Sequence, residues 1–184
     1  YRTLPASILK TLQRYIPSLL ALNKELPETN NNFQFHFQLD NTELFSKVLN
    51  IPIELGMPAT LNGYFDDSRT RLQIQGYLPE FVYNDSYFES GTFLCSNTAD
   101  ELECQVRINK RMKKGGMINF SVNSLVAADK LKTTIHWGNN VPSTFSGVVE
   151  TMTSFRKSEE KNRLSTTIDI RPSKIILNDT IWKV

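Results

Sequence analysis

The run from Phe93 to Val149 leaves this chain few folds, because apolar and polar residues alternate strictly over one short segment after another. Leu102, Cys104, Val106 and Ile108 alternate with Glu103, Gln105, Arg107 and Asn109. Ile118, Phe120 and Val122 alternate with Asn119, Ser121 and Asn123, and Leu131, Thr133, Ile135 and Trp137 with Lys132, Thr134 and His136. Successive side chains of a strand point to opposite faces, so a repeated period of two builds a sheet with one apolar and one wet face. Nothing later in the sequence reads as a layer of helices to cover the apolar face. Either the sheet closes on itself or the face is kept for another molecule.

The flanking segments extend the pattern. Phe33 to Leu39 is a strand with three phenylalanines and a leucine on one face. Leu61 to Phe65 and Arg71 to Leu78 flank a turn at Asp66-Asp67-Ser68, and Pro79 is expected to end the second of them. Asn84-Asp85, Asn97 to Asp100, Lys110 to Gly116, Leu125 to Asp129 and Gly138-Asn139-Asn140 read as turns. Thr144 to Thr151 is a strand, Phe155 to Asn162 a charged loop and Leu164 to Ile170 a strand stopped by Pro172. Ile175 to Val184 reads as one strand-like run, expected to continue in a longer chain. The shape implied is a long antiparallel meander rather than a two-sheet sandwich with crossovers.

Two stretches near the start read as helices. Leu4, Ile8, Leu12, Tyr15, Ile16 and Leu19 recur at steps of three and four, with Pro17 set to end or kink the helix. It is expected to pack against the sheet edge. Asp40 followed by Glu43 resembles a capping box, with Leu44, Phe45, Val48 and Leu49 on one face of a helix ending before Pro52. That second helix is expected to cap an open end of the apolar trough. The chain thus divides into a helical segment, 1–52, carrying one strand at 33–39 and a short helix at 41–50, and a meander over 53–184.

Charge narrows the function. With 21 basic and 19 acidic residues and a net charge of +2, there is no basic bias to suggest nucleic acid. No charged n-region followed by an apolar h-region marks a signal peptide or membrane anchor within the chain, which begins at Tyr1 and reads as a piece of something longer. A turn near Ala99-Asp100 would set Cys95 and Cys104 opposite each other on adjacent strands, where a disulfide is geometrically allowed in an oxidising compartment. Two buried thiols acting as small apolar side chains is the alternative.

Catalytic chemistry is sparse. The two histidines, His36 and His136, fall at outward positions, and no nucleophile elbow, phosphate-cradling loop or Cys/His metal spacing occurs. No enzyme activity, metal or cofactor is expected. The acidic pairs Asp66-Asp67 and Glu159-Glu160 sit in turn-like, solvated contexts with nothing to raise a pKa. The basic turn Lys110 to Lys114 could meet anionic lipid headgroups, although a solvated hairpin tip is the plainer account. What stands out is apolar surface on one sheet face. A diacyl lipid carries about 30 methylenes, and at ~0.8 kcal/mol each their exposure to water costs on the order of 24 kcal/mol, so a lipid carrier must offer a continuous dry trough.

The closing segment Ile168-Asp169-Ile170-Arg171-Pro172-Ser173-Lys174-Ile175-Ile176-Leu177-Asn178-Asp179-Thr180-Ile181-Trp182-Lys183-Val184 resembles TamB-like proteins, the AsmA-like translocation and assembly module family of Gram-negative envelopes. Ala59-Thr60-Leu61-Asn62-Gly63-Tyr64, Leu72-Gln73-Ile74-Gln75-Gly76-Tyr77 and Ile135-His136-Trp137-Gly138-Asn139-Asn140 look like the same family's repeat. The resemblance covers most of the chain from about Phe33, and its motifs are pattern-like rather than catalytic. It implies a mainly β fold, an elongated antiparallel β-taco, in a periplasmic protein anchored in the inner membrane. The implied work is passive movement of phospholipid toward the outer membrane, its acyl chains held in the groove, with a role in outer-membrane protein assembly beside an Omp85-type barrel through regions outside this chain. The residues expected to line the groove are Phe93, Cys95, Leu102, Cys104, Val106, Ile108, Ile118, Phe120, Val122, Leu131, Ile135, Trp137, Phe145, Leu164, Ile168 and Ile170. The alternative is a β-sandwich binding module for glycan or protein at the cell envelope, for which Tyr77, Tyr83 and Tyr87 are the candidate platform.

Overall fold

The computed structural model describes residues 3–20, 28–49, 51–113, 115–139, 145–158, 163–177 and 180–183. The Glu159-Glu160 pair, Lys114, Asn140, Asn178-Asp179 and Val184 lie outside them. The described residues form one open antiparallel sheet of twelve strands with three short helices. The strands are β1 (Asn32–Leu39), β2 (Ile53–Leu55), β3 (Ala59–Asp66), β4 (Arg71–Tyr83), β5 (Ser86–Asn97), β6 (Leu102–Arg111), β7 (Met117–Ala127), β8 (Lys130–Asn139), β9 (Phe145–Ser158), β10 (Arg163–Ile170), β11 (Lys174–Leu177) and β12 (Thr180–Lys183). The helices are α1 (Leu4–Tyr15), α2 (Pro17–Leu20) and α3 (Glu43–Leu49).

From β3 to β9 every strand pairs with its sequence neighbour, which is the expected meander; a sandwich is not the fold. Short turns make this topology cheap. Asn84-Asp85 and Ala128-Asp129 each place both residues at positive φ, between 45° and 61°, the conformation whose twist matches paired strands. The second hairpin is therefore tighter than a turn over Leu125 to Asp129. Segment 1–52 is not separate from the meander, because β1 pairs along its whole length with β3, Phe35 opposite Gly63.

Four expectations are corrected. Pro79 does not end its strand. β4 pairs with β3 through Tyr77 and with β2 from Phe81, so the proline falls in the gap between the two partners, where no N–H is required. The charged stretch after Phe155 is strand as far as Ser158, paired with β10 at a solvated margin of the sheet. The closing run is two antiparallel strands, β11 and β12, not one. Lys110 and Arg111 belong to β6 rather than to the turn that follows.

Pro17 starts α2, occupying the first helical position where its missing N–H costs nothing. The residue preceding α3 is Thr42, whose carbonyl accepts the Ser46 N–H, while the Asp40 carboxylate accepts from Gln38 instead. α3 is tied to β2 by the Thr42 and Ser46 hydroxyls, both donating to the Ile53 carbonyl.

α1 runs across the strands, along the rim formed by the β3–β4, β5–β6 and β7–β8 turns, not against an edge strand. Twelve residues at about 1.5 Å each give roughly 18 Å. The four strand spacings between the first and last of those turns come to roughly 19 Å. Each turn holds it: Asp67 accepts from Ser7, the Thr98 carbonyl accepts from the Tyr15 hydroxyl, and Asp129 donates its N–H to the Tyr15 carbonyl and accepts from Ser18. Tyr15 is fully buried, and its hydroxyl also accepts from Asn97, whose amide bridges Thr70 and Leu72. The closed core lies beneath it, where Cys95, Leu102 and Val126 are buried with Leu12, Leu72, Ile74 and Leu131 against them.

Candidate functional site

The registers place all sixteen expected lining residues on one face. Ile74 of β4 is opposite Cys95, Cys95 opposite Cys104, and Phe93 opposite Val106. Val106, Ile108 and Lys110 stand opposite Val122, Phe120 and Ile118, and Leu102 opposite Val126. Phe120 and Val122 meet Trp137 and Ile135, and Val126 meets Leu131. Ile135 then meets Val149, and Phe145 shares its parity. On β10, Ile168 and Ile170 pair with Thr153 and Thr151, and Leu164 with Lys157. Since side chains alternate, one continuous row-by-row surface results.

α1 divides that surface. Cys95 and Leu102 are buried beneath Tyr15 and belong to the closed core, so they are not available as an open wall. Cys95 and Cys104 are joined as a disulfide. Away from α1 the face stays open: Val106 is 40% exposed, Ile135 37%, Ile168 63% and Ile170 61%. These are large apolar side chains on one sheet face, left in contact with solvent.

The face reaches beyond the expected residues at both edges. Phe33, Phe35 and Phe37 stack along β1 with ring centres 6.2 and 5.2 Å apart, and Phe37 is largely exposed. With Ile8, Phe65, Leu72 and Ile74 they bound an apolar cleft of about 500 Å³. Trp182 of β12, paired with Ile175, closes the other edge, also largely exposed. The alternation of Phe33 to Leu39 was the signal for the first group.

Glycines shape the floor. Phe35 lies over Gly63 and Trp137 over Gly147, each so close that a Cβ on the glycine would fall within the ring, an aromatic packed on a bare cross-strand partner. Gly76 and Gly91 carry no such cover, and a hollow of about 220 Å³ bounded by Leu78, Phe93 and Ile108 lies there. At Ser90, with φ of 55°, the β5–β6 register shifts, so that Phe88 and Phe81 beyond it join the apolar face.

The outer face carries the polar half of each alternation. His36 contacts Asn62, and His136 pairs with Ser121. Asp66 is buried rather than solvated, but the Ser68 hydroxyl, the Arg69 N–H and the Tyr64 hydroxyl all donate to it and hold its pKa below the usual carboxylate value against the cost of burial. The Tyr87 hydroxyl is pushed up by burial and by its hydrogen bond to Glu80. Tyr77 and Tyr87 face outward and Tyr83 inward, so the three do not form one platform. Among the described residues no cluster of His, Cys, Asp and Glu could hold a metal ion, and no helix is long and apolar enough to cross a membrane.

Comparison with known proteins returns no matching family model, no matching curated protein and no matching solved structure.

Proposed function

We propose that this chain is a segment of a lipid conduit of the TamB-like kind, in which phospholipid acyl chains lie along the apolar sheet face and move passively between inner and outer membranes. The observation that carries the reading is the part of the apolar face that stays open beside α1, from the β1 phenylalanines to Trp182 on β12. About ten strands at roughly 4.8 Å make it on the order of 45 Å long, and acyl chains laid on it are removed from water at ~0.8 kcal/mol per methylene. The reading assigns the chain no reaction. It places the protein in the periplasm, anchored in the inner membrane and working beside an Omp85-type barrel through regions outside this chain. The Cys95–Cys104 disulfide supports an oxidising compartment.

The test is site-specific photo-crosslinking in Gram-negative cells. A photoreactive side chain at Phe120 or Ile135 captures phospholipid, and one at Ser121, on the opposite face of the same strand as Phe120, does not. Equal labelling at the three positions, or none at any, would sink the proposal.

A further inference from the structure

Among the described strands, register puts two charged residues on the apolar face: Lys157 at the α1 rim and Lys110 at the opposite, open rim. At the open rim the sheet sorts two adjacent cations. Arg111 faces outward, 3.0 Å from the Glu89 carboxylate and over the Tyr87 ring at 4.3 Å. Lys110 faces inward between Phe88 and Ile118, its ammonium 5.8 Å from the centre of the Phe88 ring, which stacks on Phe81 at 4.9 Å. No carboxylate pairs with it among the described residues. A half-buried ammonium above an apolar trough, its stem lying on rings, suits an anionic group carried by an otherwise apolar molecule.

A second observation points to the same molecule. One row deeper, the indole N–H of Trp137 is buried and has no acceptor among the described residues. A buried donor left unmet is costly, and a carbonyl supplied by a ligand removes that cost. A glycerophospholipid carries an anionic phosphate and, nearer its chains, ester carbonyls, in the order in which the rim presents Lys110 and Trp137.

We infer that Lys110 positions the headgroup at the open rim and makes the groove prefer phospholipids of net negative charge over zwitterionic ones. This rests on the reading of the face as a lipid groove. A zwitterionic head brings its own ammonium beside the lysine, which cancels part of the attraction. An anionic head does not.

The experiment incubates the purified chain with vesicles of equal parts phosphatidylglycerol and phosphatidylcholine, re-isolates it and measures bound lipid by mass spectrometry. Wild-type protein is enriched in phosphatidylglycerol. Lys110→Arg keeps the enrichment, and Lys110→Gln lowers it about fivefold, the factor one lysine supplies beside an anionic lipid surface. Lys113→Gln, in the neighbouring turn, leaves it unchanged. The same enrichment in wild type and Lys110→Gln overturns the assignment, as does an equal loss with Lys113→Gln, which would mean general surface attraction. Bound lipid with no headgroup preference also overturns it while leaving the groove standing. Absence of lipid from the wild-type chain defeats the groove itself.

Discussion

Asp66 shows at the residue scale what composition could not convey. Its carboxylate is buried in the β3–β4 turn and accepts from Ser68 at 2.6 Å, from Arg69 N–H at 3.1 Å and from Tyr64 at 3.1 Å. Those donors bind the ionised form, so the folded pKa lies below the value of about 4 that the unfolded chain has. A depressed pKa contributes stability that is fully present above the unfolded value and lost as pH falls through the folded one. The urea midpoint of the wild type should therefore hold from neutrality to about pH 4 and fall below it. Asp66→Asn should lower the midpoint at pH 7, and the difference should shrink as the pH is taken below 4; a constant difference would show that the charge is not what matters. The acidic pair Asp66-Asp67 was visible in the sequence, but its burial was not, since Asp-Asp-Ser reads equally well as a solvated turn. The outcome depends on Tyr64, two residues back on the same face of β3, and on Asn32, which the pairing of β1 with β3 brings to the site.

At the scale of elements, α1 is the piece whose existence the three-and-four periodicity announced and whose place it did not. Periodicity fixes an apolar face; the partner is set by the matching of helix length to four strand spacings and by turn residues far away in sequence. Tyr15 is the decisive contact, donating to the Thr98 carbonyl at 2.8 Å and accepting from Asn97. Tyr15→Phe keeps the ring and removes the hydroxyl, so the Thr98 carbonyl loses this donor and the Asn97 amide one of its partners, at a cost of about 0.5 to 1.5 kcal/mol for each bond. Chemical denaturation should show a lower midpoint with an unchanged slope, as expected when stability alone changes. A change in slope would instead mean that α1 detaches from the rim before the sheet unfolds. Strand boundaries went astray for a related reason. Pro79 and the charged pair Arg156-Lys157 break rules for a strand flanked on both sides, yet each stands where a partner strand is absent or the sheet margin is in water.

At the scale of the whole molecule, the meander and its single apolar face were legible because period two constrains every strand alike, whereas the edges were not, because an edge is defined by what fails to pair. An open sheet has two. β12 is four residues long and carries Lys183, features that blunt an edge. β1 has eight residues, Asn32-Phe33-Gln34-Phe35-His36-Phe37-Gln38-Leu39, with no Asp, Glu, Lys, Arg or Pro, and its far side is unpaired among the described residues. An uncharged, aromatic-rich strand of this length is a template for another chain. The purified protein should therefore self-associate through β1 in a concentration-dependent way, read by sedimentation velocity. Gln34 and His36 face outward, so Gln34→Lys with His36→Lys adds charge to the edge without touching the apolar face. Two copies meeting edge to edge would then set like charges close together at up to about 1 kcal/mol per contact, which weakens association roughly tenfold. The paired change Thr180→Lys with Trp182→Lys on β12 should leave association unaltered. If it weakens association instead, the contact runs through the opposite edge, and β1 is covered by something other than a second copy.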